Sequence, residues 1–133
     1  MNLRDANLIK TKALPAAGAS AYCDAIDLGA QSGSQKFVAD IEFEVSIPAT
    51  ASLAAGKTIV VDIQTCEEST FASPTLAIGN LLTVTGGSGG GGAAASAKFR
   101  LPTDVKRYVR TKATVESAGG DNTAVSSTLT GRC

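Results

Sequence analysis

The sequence contains no histidine and no tryptophan, and its aromatic residues are limited to four Phe and two Tyr in 133 residues. Histidine is the commonest general acid or base, the usual partner of a Ser or Cys nucleophile and the commonest metal ligand. Stacking platforms for nucleic-acid bases need several aromatic side chains. We therefore expect a protein that is not an enzyme, and the sequence predicts no catalytic, cofactor-binding or metal-binding residue.

An excess of charge is also absent, since twelve Lys and Arg balance twelve Asp and Glu and the pI is about 6.2. A domain that binds nucleic acid is usually strongly basic, so no nucleic-acid partner is expected. No apolar run approaches the roughly 20 residues that span a bilayer. Charged residues interrupt the N-terminal segment where a signal peptide would be apolar. The sequence therefore predicts no membrane partner and synthesis in a cytoplasm.

The three cysteines, Cys23, Cys66 and Cys133, are widely spaced and include no CxxC pair. Without histidine they fall short of the four ligands of a structural zinc site. We expect free thiols. A disulfide or an intermolecular bridge, most readily through the C-terminal Cys133, is the alternative.

What the chain does contain is an alternation of apolar and polar residues, typical of half-buried strands. The strongest case is 37–47, where Phe43 and Val45 share one parity and Glu42 and Glu44 share the other. Further strands are predicted at 21–28, 57–65, 75–85, 96–101, 106–116 and 122–129. Strands at this density, separated by Gly, Pro, Ser and Thr, predict an all-β fold. Seven of them suit a jelly-roll-like antiparallel β-sandwich.

The N-terminal segment, residues 1–14, is predicted to be a short arm apart from a single sandwich domain over residues 15–133. Its apolar residues, Leu3, Leu8 and Ile9 among them, lie between charged and polar groups. Exposed apolar groups at a terminus indicate either disorder or a partner. We expect this arm to dock on a partner.

Glycines mark two further features. Gly79-Asn80 predicts a bulge or kink within the strand at 75–85. The Gly-rich loop 86–95 is predicted to be a flexible surface connection that tolerates change. Gly87, Gly89 and Gly92 match the G-x-G-x-x-G spacing, but no βαβ unit and no acidic residue follows them at the required distance. No nucleotide cofactor is therefore expected.

The charges are segregated along the chain although their sum is zero. Acidic residues concentrate between 21 and 68, and basic residues between 97 and 112. Either these strands are neighbours in one sheet and pair acid with base, or the two patches lie on different faces and meet head to tail across subunits. The second interpretation, together with the arm, makes the candidate interface residues Leu3, Leu8, Ile9, Glu42, Glu44, Lys98, Arg100, Arg107, Tyr108, Arg110 and Lys112.

Several short motifs occur in one order along residues 21 to 130. They are AIDLG at 25–29, IQT at 63–65, FASP at 71–74, Leu101-Pro102 and RYVR at 107–110, followed by a Gly-rich turn. This order resembles the capsid cement (decoration) proteins of tailed bacteriophages. It is most similar to the small jelly-roll cement proteins of podophages, of the kind first described on a Bordetella phage.

The resemblance implies a jelly roll that forms a homotrimer on the outer surface of an icosahedral phage head. It implies that the trimer binds the major capsid protein at capsomer junctions, stabilises the shell and has no catalytic residues. The protein would then be made in the host bacterial cytoplasm and be located in the virion. The alternative, from another class of function, is a jelly-roll recognition module or fibre base that binds a host-surface ligand.

Overall fold

A computed structural model describes residues 4–27, 42–68, 70–101 and 105–132. Within these ranges the structure is built from strands and turns, and it contains no helix long and apolar enough to cross a membrane. The strands are β1 (Arg4–Ala13), β2 (Ser20–Tyr22), β3 (Ile26–Asp27), β4 (Glu42–Ile47), β5 (Thr58–Cys66), β6 (Thr75–Thr85), β7 (Ala95–Arg100), β8 (Tyr108–Val115) and β9 (Ser126–Arg132).

The strands form two antiparallel sheets that pack face to face. The first sheet has the order β1-β9-β4-β7. The second has the order β2-β8-β5-β6, and β3 pairs with β8 beyond the end of β2. Apart from β2–β3 and β5–β6, consecutive described strands lie in different sheets, which is the Greek-key order of a jelly roll. The predicted all-β, jelly-roll-like antiparallel β-sandwich is confirmed.

The core lies between the sheets and follows from the period-two alternation. On β4, Phe43 and Val45 are at most 1% exposed, whereas Glu42 and Glu44 on the opposite parity remain partly exposed. The Phe43 ring stacks on Phe99 of the neighbouring strand β7, with 5.5 Å between ring centroids. Each such buried side chain contributes about 1.5–3 kcal/mol to folding.

The predicted bulge on β6 is also confirmed. Leu82 pairs with Val61 and Ile78 pairs with Ile63, so four residue steps on β6 span two on β5. At the bulge, Asn80 has a φ of 53°, and its amide donates a 2.5 Å hydrogen bond to an Asp62 carboxylate oxygen. The bulge therefore interrupts the exposed edge of the second sheet, a device that discourages edge-to-edge aggregation.

The N-terminal segment is arranged differently from the predicted arm. Residues 4–13 are β1, the edge strand of the first sheet, and they pair with β9. Leu14, which directly follows, is 2% exposed and belongs to the core. The register places Lys10 opposite the buried Leu129, on the inner face. At a sheet edge a lysine stem can reach past the core to water, so the strand does not need apolar residues at its inner positions.

The glycine-rich segment is likewise packed and is not a loose loop. Thr50 and Gly92 exchange two backbone hydrogen bonds of 2.9 Å, and the amide of Gly91 donates to the Leu53 carbonyl at 2.7 Å. A Cβ added at Gly86 would lie 2.2 Å from the Ala54 carbonyl oxygen. This segment therefore lies backbone to backbone against the β4–β5 connection, which contradicts the predicted flexible connection.

A third connection joins the same end of the sandwich. The carbonyl of Gly119, between β8 and β9, accepts a 3.0 Å hydrogen bond from the amide of Ala54. Gly120 has a φ of 88°, and a Cβ there would lie 2.2 Å from the Ser52 carbonyl oxygen. The β4–β5, β6–β7 and β8–β9 connections therefore form one close-packed end, which we call the interlocked end.

Candidate functional site

The outer face of the first sheet sets the acidic strand β4 directly beside the basic strand β7. The register places Glu42 opposite Arg100 and Glu44 opposite Lys98. The Glu42 carboxylate lies 4.0 Å from the Lys98 ammonium, with these side chains 40% and 60% exposed. Of the two interpretations of the charge pattern, pairing of acid with base inside one sheet is therefore the one that holds for β4 and β7. An ion pair this exposed contributes little to stability.

The same face continues into a row of hydroxyl groups. Thr11, Thr128, Ser46 and Ser96 follow one another across β1, β9, β4 and β7, and the hydroxyls of Thr11 and Thr128 are 3.4 Å apart. An open groove of about 380 Å³ lies along this row, lined by residues at the ends of β4 and β7 and by Thr128 of β9. Its lining residues carry hydroxyl and apolar groups, and none of them is charged.

On the outer face of the second sheet, one arginine contacts two aromatic rings. The guanidinium carbon of Arg110, on β8, lies 4.0 Å from the centroid of the Tyr22 ring and 4.0 Å from that of Phe71. Its Nε donates a 2.9 Å hydrogen bond to the side-chain oxygen of Gln64, the residue opposite it on β5. Stacking of a guanidinium on aromatic faces is favourable and directional. Two ring contacts and one hydrogen bond therefore hold the group.

Phe71 reaches this position because the β5–β6 connection folds back over the sheet. Phe71 has a φ of 52°, a left-handed conformation that is uncommon outside glycine, and its amide donates to the Glu68 carbonyl at 3.1 Å. The Cys66 thiol donates to the Ser73 carbonyl at 3.6 Å in the same connection. Phe71 and Gln64 are 6% and 7% exposed, so the folded connection keeps water away from one side of the Arg110 cluster.

The other basic residues of β8 have more ordinary surroundings. Lys112 lies opposite Asp62 in the register, so acid again faces base across neighbouring strands. The guanidinium of Arg107 lies 5.2 Å from the centroid of the Tyr108 ring. Tyr108 is half-buried and Arg107 is exposed. These contacts place the basic residues around 107–112 on the face opposite to that of β4 and β7.

The structure thus divides the predicted interface residues between two faces. Ile9, Glu42, Glu44, Lys98 and Arg100 lie on or beside the outer face of the first sheet. Tyr108, Arg110 and Lys112 lie on the outer face of the second sheet, and Arg107 precedes them at the start of β8. Leu3 and the side chain of Leu8 are outside the described residues.

Sequence reasoning did not identify Tyr22, Gln64 and Phe71 as parts of a site. Phe71 was singled out only as part of a motif, and Tyr22 only as part of a predicted strand. No spacing rule links these positions to Arg110, because they come from three separate segments. The β2–β8 and β8–β5 pairings, together with the β5–β6 connection that carries Phe71, bring them to one place.

Outside these faces, Asp121 and the described cysteines have structural explanations. Asp121 accepts hydrogen bonds from the hydroxyl and the amide of Thr123, at 2.6 and 3.1 Å, and these lower the pKa of its carboxyl group. Cys23 and Cys66 are buried free thiols, as predicted, and Cys133 lies outside the described residues. Within the described ranges, no three His, Cys, Asp or Glu residues are grouped so that they could hold a metal ion.

Comparison with known proteins adds no family to this description. A scan against models of protein families found no match, and neither did a search of curated proteins.

Proposed function

We propose that this protein is a capsid cement protein that binds the outside of an icosahedral phage head and stabilises its shell without catalysing a reaction. One observation supports this most strongly. The motifs that resemble the podophage cement proteins keep their order along the strands and connections of a jelly-roll-like sandwich. IQT (63–65) lies near the end of β5, FASP (71–74) forms the connection to β6, and RYVR (107–110) leads into β8.

The stabilising mechanism is binding by mass action. A protein that binds the assembled shell but not its free subunits shifts the equilibrium towards the closed shell. Each copy would add buried surface at the junctions between capsomers, where contact with the major capsid protein is proposed. Because many symmetric copies act together, a modest affinity at each position is sufficient.

We propose further that the active form is a homotrimer with head-to-tail contacts. A ring of this kind needs two unlike surfaces on each protomer. Two unlike surfaces are present: the outer face of the first sheet carries alternating acid and base with a row of hydroxyls, and the start of β8 in the second sheet carries exposed Arg107 beside Tyr108. Aromatic residues and arginine are the residue types enriched in interface hot spots.

The test combines a mass measurement with a binding measurement. Light scattering of the isolated protein should give three times the 13.4 kDa protomer mass. Purified protein should bind heads that lack it and should raise the temperature at which those heads release DNA. If it leaves such heads undecorated and instead binds host cells or glycans, the function is that of a recognition module or fibre base.

A further inference from the structure

Within the described part of the chain, the guanidinium group of Arg110 contacts two aromatic rings and one side-chain acceptor. Its carbon atom lies 4.0 Å from the ring centroids of both Tyr22 and Phe71, and Gln64 accepts from its Nε at 2.9 Å. Among the described residues no acceptor bonds to its two Nη atoms. These atoms form a planar pair of donors whose geometry matches the two oxygens of a carboxylate.

The surroundings of this edge indicate a preformed binding site. Gln64 and Phe71 are buried, so the groups that hold the guanidinium are themselves fixed by packing. A preorganised arginine loses little side-chain entropy when it binds, which favours affinity. Tyr22 and Leu76 are 38% and 58% exposed on the same sheet face and offer apolar contact beside the charge.

We propose that the Nη edge of Arg110 binds a carboxylate of the shell protein, an Asp or Glu side chain presented next to an apolar residue. This inference rests on the proposed function for the identity of the partner but not for the carboxylate chemistry. Exposed Asp24 and Glu67 lie two residues from Tyr22 and four residues from Phe71 along the chain. Acids so close to the site disfavour a polyanion such as nucleic acid, and they tolerate a single carboxylate.

A second copy of this chain is the less favoured occupant. A two-fold contact centred on this site would set two Arg110 guanidinium groups against each other, because both copies present the same patch. Like charges brought together at an interface cost binding free energy. In a head-to-tail contact, a second copy would present Glu42 and Glu44, which already lie opposite Arg100 and Lys98 in their own sheet. An acid-bearing surface of another protein avoids both obstacles.

The binding test uses heads purified from particles that lack this protein. Arg110→Gln removes the charge, and Arg110→Lys keeps the charge but loses the planar pair of donors. Both should weaken binding to heads at least tenfold, as expected for loss of a bidentate charged hydrogen bond. Tyr22→Leu, a change at a partly exposed position, should weaken binding less. Lys57→Gln removes one positive charge at the interlocked end and should bind as the unmodified protein does.

A second measurement tests the site without heads. Nuclear magnetic resonance of the arginine side-chain N–H groups follows titration with sodium acetate, sodium phosphate and sodium chloride at equal ionic strength. Acetate should shift the Arg110 signals saturably, and Arg107 should serve as the internal reference. A larger saturable shift with phosphate would overturn the carboxylate assignment in favour of a phosphate ligand.

The outcomes separate this inference from the proposed function. If the unmodified protein does not bind heads but acetate still shifts Arg110, the proposed function fails and the carboxylate site stands. If heads bind the Arg110 variants and the unmodified protein equally and acetate shifts nothing, the inference fails and the function stands. If Arg110→Gln abolishes self-association measured by ultracentrifugation but leaves head binding intact, the partner is a second copy and the shell assignment is overturned.

Discussion

The strongest prediction concerns the substitution Gly92→Ala in the interlocked end. A Cβ at this position would lie 2.5 Å from the Thr50 hydroxyl oxygen, 2.5 Å from a Val84 methyl group and 3.1 Å from a Leu53 methyl group. Thr50 is fully buried and Val84 is 4% exposed, and both are β-branched with a stiff first side-chain torsion. Neither can move aside cheaply, so the backbone must shift and strain its hydrogen bonds with Thr50.

The expected loss follows from this packing. Overpacking a close-packed core costs about 1–3 kcal/mol. For a chain of this size each kcal/mol corresponds to roughly 3–5 °C in Tm, so Gly92→Ala should lower Tm by roughly 3–15 °C. The matched control is Gly89→Ala in the same segment, where a Cβ would meet no atom within 4 Å. That variant should keep the Tm or raise it slightly, because alanine lowers the entropy of the unfolded chain.

Circular dichroism and calorimetry measure both variants, and urea unfolding should show an unchanged slope if the native fold is kept. Equal Tm values for Gly92→Ala and Gly89→Ala would refute the reasoning. Such a result would mean that residues 86–95 are loose in solution, as the sequence alone suggested.

Three further outcomes are expected. Deleting residues 1–13 removes β1 and its backbone pairing with β9, so the free energy of unfolding should fall by about 3 kcal/mol or more. A truncated protein with an unchanged Tm would restore the arm interpretation. The lowered pKa of Asp121 means that its stabilisation is present above the unfolded pKa near 3.8 and is lost as the pH falls through the folded value. The Tm difference between the unmodified protein and Asp121→Asn should accordingly shrink on acidification, and a constant difference would exclude this role. A double-mutant cycle between Glu42→Ala and Lys98→Ala should give a coupling free energy below about 0.5 kcal/mol, because both side chains are exposed. A stronger coupling would contradict the view that this ion pair contributes little to stability.

Most strands could be predicted from the sequence because burial of one sheet face imposes a two-residue period that is visible locally. The strand predicted at 75–85 has the bounds of β6, and Gly79-Asn80 lies at its bulge. The apolar parity of the segment around Phe43 matches the buried face of β4. Residues 37–41 of that predicted strand lie outside the described residues.

The N-terminal strand and the glycine segment could not be predicted because their ordered structure depends on contacts with segments far away in the sequence. β1 carries lysines at its inner positions and is recognisable as a strand only through its pairing with β9, more than 100 residues away. The composition of 86–95 is equally compatible with a loose loop and with a packed one. The β4–β5 connection decides between them, because it supplies the carbonyl and amide groups that these glycines contact.

By itself, the sequence determined the fold class and the division of each strand into a solvent-facing and a buried side, since both follow from local alternation. Tertiary structure alone decided which outward residues become neighbours. Strand order places the acids of β4 beside the bases of β7, where they pair within one sheet. It also brings Tyr22, Phe71 and Gln64 around Arg110. Sheet pairing is non-local, so the chemistry of a sheet face is set by register between segments far apart in the chain.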